Sequence, residues 1–176
     1  YRTGSFDSYI KNQFVEKMNY KGIDFTADVF RVTASPLELQ LKNATFNDRK
    51  TGEKLFFVRE GRIGLTILNL FAWQTTRDIK VDSTEIYGAE VWVKFDENGR
   101  SNFANIVEDT RSSNLNIKYN SMKFSLQDSV VHFGDLSRTM SGNANNLQLF
   151  LEPENYEAPD EEKRYKIELT STGSTF

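Results

Sequence analysis

Alternation of apolar and polar residues runs through almost the whole chain after Gly22 and limits its fold more than any other feature. Successive side chains of a β-strand point to opposite faces, so this alternation collects the apolar side chains on one face. The strands of an all-parallel sheet, which is covered on both faces, would be apolar throughout. The pattern therefore predicts a mainly β fold: a one-sided, antiparallel, curved sheet that forms an open apolar groove (a β-taco).

An internal echo accompanies the alternation. Residues 79–83 align with residues 117–121, and the same shift places Val93 on Val131 and Phe95 on Phe133. Each copy consists of an alternating strand, a polar step and a second strand, and such a unit buries its apolar face only by adding to others edge to edge. The echo predicts a repeat array, of which this chain would be a segment cut from a longer protein. Chance similarity between hairpins is the alternative interpretation.

The first 22 residues predict the helix of the fold. An apolar residue recurs at every fourth position from Phe6 to Met18. Ser5 or Asp7 is a suitable N-cap and Gly22 a suitable stop. Packing of this amphipathic helix across the end of the sheet is the favoured interpretation, and a membrane-surface role is the alternative. The chain thus divides into an N-terminal helix, residues 1–22, and a β-groove domain, residues 23–176.

Residue usage excludes several classes of function. The 176 residues include no cysteine, which excludes disulfide frameworks, thiol nucleophiles and zinc–thiolate sites. His132 is the one histidine, which leaves little room for a Ser-His-Asp triad, and its place between Val131 and Phe133 predicts that it faces outward with no implied partner. The 22 basic and 25 acidic residues give a net charge of −3, which argues against nucleic-acid binding. We expect no enzyme, no cofactor and no metal.

The remaining polar segments predict loops and turns. The adjacent carboxylates of Asp96 and Glu97, and of Glu161 and Glu162, point apart in a strand or loop, whereas a glycosidase holds two carboxyl groups across a cleft. Residues 96–99 predict a hairpin turn, not a calcium loop, and residues 101–106 a capped turn. Residues 68–73 break the alternation, and residues 152–163 predict a solvated loop.

The apolar face is the candidate functional site. Fourteen phenylalanines occur in a chain of polar mean hydropathy, and the front helix is the one lid that the sequence predicts. A large uncovered apolar surface normally marks an interaction or ligand site, although a core sealed within the chain is the alternative. The predicted lining residues are Ile79, Val81, Val91, Val93, Phe95, Leu115, Ile117, Tyr119, Phe124, Leu126, Val131, Phe133, Leu147, Leu149 and Leu151.

The order of several segments carries a family resemblance. After the front helix, the segments are residues 23–27, 35–43, 58–65, 79–81, 86–91, the acidic-Gly-x-x-Asn turn at 96–103, residues 133–135, and residues 146–149. In this order they resemble the N-terminal region of the AsmA-like and TamB family of bacterial envelope proteins. The family's membrane anchor would lie before Tyr1.

The resemblance implies a β-trough in the periplasm of Gram-negative bacteria, attached to the inner membrane through a segment outside this chain. It implies a module that binds phospholipid acyl chains and conducts them between the inner and outer membranes, and an outer-membrane barrel protein as a protein partner. The second hypothesis is a strand-adding protein-interaction module that assists outer-membrane protein assembly. The third is a closed β-sandwich of purely structural use.

Overall fold

The computed structural model describes residues 3–67, 77–107, 115–118, 122–158 and 162–175, which form one helix and one sheet. The elements are α1 (Thr3–Tyr20), β1 (Ile23–Thr26), β2 (Val29–Ala34), β3 (Leu37–Asp48), β4 (Lys54–Ile67), β5 (Arg77–Phe95), β6 (Leu115–Lys118), β7 (Lys123–Asp135), β8 (Met140–Pro153) and β9 (Tyr165–Thr170). The strands lie in the order β1-β3-β4-β5-β7-β8-β9, with β2 also paired to β3 and β6 also paired to β5. The sheet is single, open and curved. The mainly β prediction is therefore confirmed, and the closed sandwich is wrong.

Two neighbours in the sheet are parallel. β5 runs parallel to both β6 and β7, and the other strand pairs are antiparallel. The expectation of a wholly antiparallel sheet is wrong at this point. A parallel neighbour needs a crossover connection, which the long segment between Phe95 and Lys123 supplies. Alternation predicts which face of a strand is polar, but it does not predict whether the neighbouring strand is parallel or antiparallel.

The strands are longer than the sequence predicts. The separate runs at residues 79–81 and 91–95 belong to one strand, β5, and those at residues 124–126 and 131–133 belong to β7. The polar step at Asp82 and Ser83 lies inside β5, and the equivalent step at Asn120 and Ser121 lies outside the described residues. The two copies of the echo lie side by side, because Ile79 pairs with Ile117 and Val93 with Phe133.

The helix packs across one end of the sheet, as predicted. Ile10, Phe14 and Met18 pack against the buried core, and the Phe14 ring lies 4.9 Å from the Phe25 ring. α1 begins at Thr3, so Ser5 and Asp7 lie inside the helix and are not its caps. Gly22, with φ at 83°, follows the helix end in the left-handed conformation that suits glycine.

The core lies at the β1–β4 end of the sheet. Its covers are α1 and the turn after β5, whose Phe103 and Ile106 pack against it. Asn105 Nδ2 donates to Asp48 Oδ2 at 2.7 Å, and Val107 N donates to the Lys21 carbonyl at 3.1 Å. These bonds tie the turn to the helix end. The core residues are Ile23, Phe25, Val32, Leu39, Leu41, Ala44, Phe46, Leu55, Val58 and Ala89.

The predicted loops have different outcomes. Asp96 Oδ1 accepts from Asn98 N at 2.9 Å and Arg100 N at 2.8 Å, so residues 96–99 form the predicted turn. Residues 101–106 also form the predicted turn, with Phe103 N donating to Ser101 Oγ at 3.1 Å. The start of the predicted loop at 152–163 belongs to β8, whereas residues 154–158 are outside the strands. Residues 68–73 and Glu161 lie outside the described residues.

Candidate functional site

One apolar face crosses the sheet in register from β3 to β9. Paired residues of neighbouring strands point to the same face, so the pairing traces rows across the sheet. One row is Phe46, Phe56, Val91, Val131 and Ala144. Another row is Leu41, Gly61, Ile86, Leu126, Leu149 and Leu169. We call this surface the apolar face.

The register places the predicted lining residues of β5, β7 and β8 together on the apolar face. They are Ile79, Val81, Val91, Val93, Phe95, Phe124, Leu126, Val131, Phe133, Leu147, Leu149 and Leu151. Leu115 and Ile117 lie in β6, where the backbone pairs with β5 and the side chains are outside the described part of the structure. Tyr119 lies outside the described residues. Ile167 and Leu169 of β9 extend the same face, although they were not among the predicted lining residues.

A line of irregularities crosses five strands and keeps the apolar face continuous. At this line, which we call the crease, each strand turns two successive residues outward before alternation resumes. The left-handed residues of the crease are Asn43 (φ 47°), Gly88 (φ 65°), Asp128 (φ 47°) and Asn146 (φ 48°). The register shifts at the crease only in the β7–β8 pair, on both sides of Ser129, and a β-bulge of this kind bends the strand that contains it. The five pairs are Lys42–Asn43, Arg59–Glu60, Tyr87–Gly88, Gln127–Asp128 and Asn145–Asn146.

Arg59 links three strands on the outer side of the crease. Its guanidinium lies 4.7 Å from the centre of the Tyr87 ring and donates to Asp128 Oδ2 at 2.6 Å. It passes directly over Gly88, where a Cβ atom would lie 2.5 Å from Arg59 Nε. The positive φ at position 88 therefore favours glycine, and a larger residue there would displace the Arg59 side chain.

Cover of the apolar face decreases across the sheet. Among the described elements, α1 contacts only β1 and β2. Toward the far edge the apolar side chains become exposed: Phe133 is 38% exposed, Ile167 62% and Leu169 63%. The exposed part of the apolar face is thus formed by strands β7–β9.

The opposite face is polar, and His132 lies on it as predicted. Its Nδ1 lies 2.8 Å from Asn143 Oδ1, and its Nε2 lies 3.6 Å from a Glu90 carboxylate oxygen. The imidazole also stacks on the Trp92 ring at 5.3 Å. The sequence implied no partner for His132, because Glu90 and Trp92 lie in β5 and Asn143 lies in β8. Only the register of these strands with β7 brings the three residues to His132.

The described residues contain no group of three histidine or carboxylate side chains that could hold a metal ion. No helix among them has the length and hydropathy that a membrane crossing requires. Comparison with protein-family models finds no match, and comparison with curated proteins finds no relative of significant similarity.

Proposed function

We propose that this protein binds the acyl chains of phospholipid on its apolar face and conducts them between the inner and outer membranes. The observation that carries the proposal is the unbroken apolar face, which α1 and the turn after β5 cover at one end and which becomes exposed at β7–β9. The crease keeps apolar side chains on one side, and the β-bulges beside Ser129 in the β7–β8 pair bend this part of the sheet, which favours a groove in place of a flat sheet.

Hydrophobic contact is sufficient for this function. Moving a two-chain phospholipid into water costs about 25 kcal/mol, at ~0.8 kcal/mol for each of about thirty CH₂ groups. A trough of Val, Ile, Leu and Phe side chains offsets most of that cost without forming or breaking a bond. The proposed role of the lining residues is therefore van der Waals and hydrophobic contact, and the protein would not act as an enzyme.

The cellular setting rests on the family resemblance. It supports a periplasmic module attached to the inner membrane, with an outer-membrane barrel protein as partner.

Charged substitutions on the apolar face test the proposal. We expect Phe133→Glu combined with Leu169→Glu to remove most of the phospholipid that co-purifies with the protein, because each places a carboxylate where an acyl chain would lie. Both residues are partly exposed, so the variant should fold. The matched control is Gln127→Glu combined with Thr170→Glu, on the outer side of the same two strands. Mass spectrometry of extracted lipid and circular dichroism are the measurements. Unchanged lipid in the first variant would contradict the proposal.

Strand addition is the second candidate function, and the β9 edge favours it. β9 is the last strand of the described sheet and pairs only with residues 148–153 of β8. An open edge of this kind can accept a strand from another protein. For this function, Glu168→Pro should abolish capture of an unfolded outer-membrane barrel protein, and Phe133→Glu should not. The reverse order of effects would count against it.

A further inference from the structure

A cavity of about 560 Å³ lies where the apolar face meets the turn after β5. Its apolar wall includes Phe95, Phe133, Leu136 and Met140, and the rings of Phe95 and Phe133 lie 6.0 Å apart. Phe95, Phe133 and Met140 belong to the apolar face. The volume falls within the range of small-molecule sites. The cavity therefore lies at the end of the sheet, where residues of the apolar face and residues of the opposite face, among them Trp92, Lys94 and His132, line it together.

The three carboxylates that line the cavity are already occupied. Glu53 lies 3.6 Å from Lys94 Nζ, and Asp96 accepts from two backbone N–H groups of its turn. Asp135 accepts from the Ser137 hydroxyl at 2.6 Å and from Ser137 N at 3.0 Å. The hydroxyl bond is the main cause that holds the pKa of Asp135 below its ordinary value, against the smaller opposing effect of burial. Each of these carboxylates is therefore already engaged by a cation or by hydrogen-bond donors of the protein.

Two cations that line the same cavity have no carboxylate partner among the described residues. The Lys50 side chain forms no hydrogen bond or ion pair with the described residues, and Arg100 donates to the neutral amide oxygen of Asn105 at 2.9 Å. Lys50 and Arg100 therefore carry positive charges that no carboxylate of the described residues neutralises, and both line a cavity that also has an apolar wall. An ammonium and a guanidinium are the groups that proteins use to bind phosphate oxygens.

We infer that this cavity binds the phosphate of an anionic phospholipid whose acyl chains lie along the apolar face. Lys50 and Arg100 would contact the phosphate, and Phe95, Phe133, Leu136 and Met140 would contact the adjoining ends of the chains. The inference rests on the proposed function and adds selectivity to it: the apolar face accepts any acyl chain, and the cavity favours a headgroup that carries net negative charge.

Competition between two lipids tests this selectivity. The protein is incubated with vesicles that contain equal amounts of dioleoyl phosphatidylglycerol and dioleoyl phosphatidylcholine, re-isolated, and its bound lipid is quantified by mass spectrometry. We expect the wild type to enrich phosphatidylglycerol about fivefold, the size that two exposed charge pairs provide. Lys50→Gln combined with Arg100→Gln should remove the enrichment. High salt should have the same effect on the wild type.

The matched control removes the same charge elsewhere. Lys11→Gln combined with Arg31→Gln replaces one exposed lysine and one exposed arginine that do not line the cavity, and it should keep the enrichment. Equal amounts of the two lipids on the wild type, or loss of enrichment in both double variants, would overturn the inference while the proposed function stands. If the wild type shows no preference between the two lipids and the Phe133→Glu, Leu169→Glu variant keeps its full lipid content, both the inference and the proposed function are overturned.

Discussion

Asp48 is a buried carboxylate at the end of β3, and it holds the β3–β4 hairpin against the turn that covers the core. Its Oδ1 accepts from Lys50 N at 2.7 Å and Thr51 N at 3.0 Å, and its Oδ2 accepts from Asn105. Burial by itself raises the pKa of Asp48, but these donors outweigh it, and the pKa lies below its ordinary value of 3.8. The charged form is therefore stabilised by folding.

Replacement of Asp48 tests this linkage. We expect Asp48→Asn to lower the free energy of unfolding at neutral pH by about 1–3 kcal/mol, the range for hydrogen bonds to a charged group. Because the pKa is lower in the folded state, the contribution of the carboxylate is fully present above pH 3.8 and is lost as the pH falls through the folded value. Urea unfolding of both proteins at neutral pH and below pH 3.8 measures the difference between them, which should shrink in acid.

Asp24→Asn is the control for a surface carboxylate. Asp24 forms an exposed ion pair with Arg49 at 3.6 Å, and exposed pairs contribute little. A difference between wild type and Asp48→Asn that stayed constant across this pH range would refute the linkage.

The crease shows what a strand-level pattern can and cannot predict. Alternation correctly gathered the apolar residues on either side of Asn43, Gly88 and Asp128, but the sequence predicted that the runs on the two sides of each position belong to separate strands. Bulges and turns use the same residue types, since both require positive φ, and Asn, Asp and Gly tolerate it best. The pairing partners decide between them, and those partners are remote in the chain. In five strands the alternation of apolar and polar residues shifts by one residue at the crease. This recurring shift was the sequence signal that could have identified the crease.

Gly88→Ala tests the crease. A Cβ at this position adopts an unfavourable φ, at a cost of about 1–2 kcal/mol, and also displaces Arg59 from Asp128. Gly99→Ala is the matched control, because Gly99 has a similar φ of 73° with no atom within 4 Å of the added Cβ. We expect Gly88→Ala to be the more destabilising variant in urea unfolding. The difference in free energy of unfolding between the two variants should disappear when Arg59 is also replaced by Ala. Equal losses of stability in the wild-type background would contradict a structural role for Gly88 in the crease.

At the scale of the whole molecule, the cover of the apolar face is uneven. The sequence predicted the helix as the one lid, whereas Phe103 and Ile106 of the turn after β5 add a second cover. Their spacing does not alternate, so a period-2 pattern does not identify them. The parallel pairing of β5 with β7 was also beyond the pattern, although the echo aligned Ile79 with Ile117, and these two residues pair between β5 and β6.

Dye binding tests whether the far end of the face is exposed in solution. We expect the folded protein to bind anilinonaphthalene sulfonate, because Ile167 and Leu169 are more exposed than covered. Ile167→Lys combined with Leu169→Lys should reduce the fluorescence. The control, Gln148→Lys combined with Thr170→Lys, adds the same charge to the outer side of β8 and β9 and should retain it. Equal fluorescence from the two variants would contradict an exposed apolar face.

The parallel pairing of β5 with β7 has a kinetic consequence. The β3–β4 and β7–β8 hairpins join segments that are adjacent in sequence, so they can form early from local contacts. The Val91–Val131 pair, in contrast, requires closure of the long connection between β5 and β7, which costs conformational entropy. We therefore expect assembly to proceed from two preformed ends, with the central seam as the slow step.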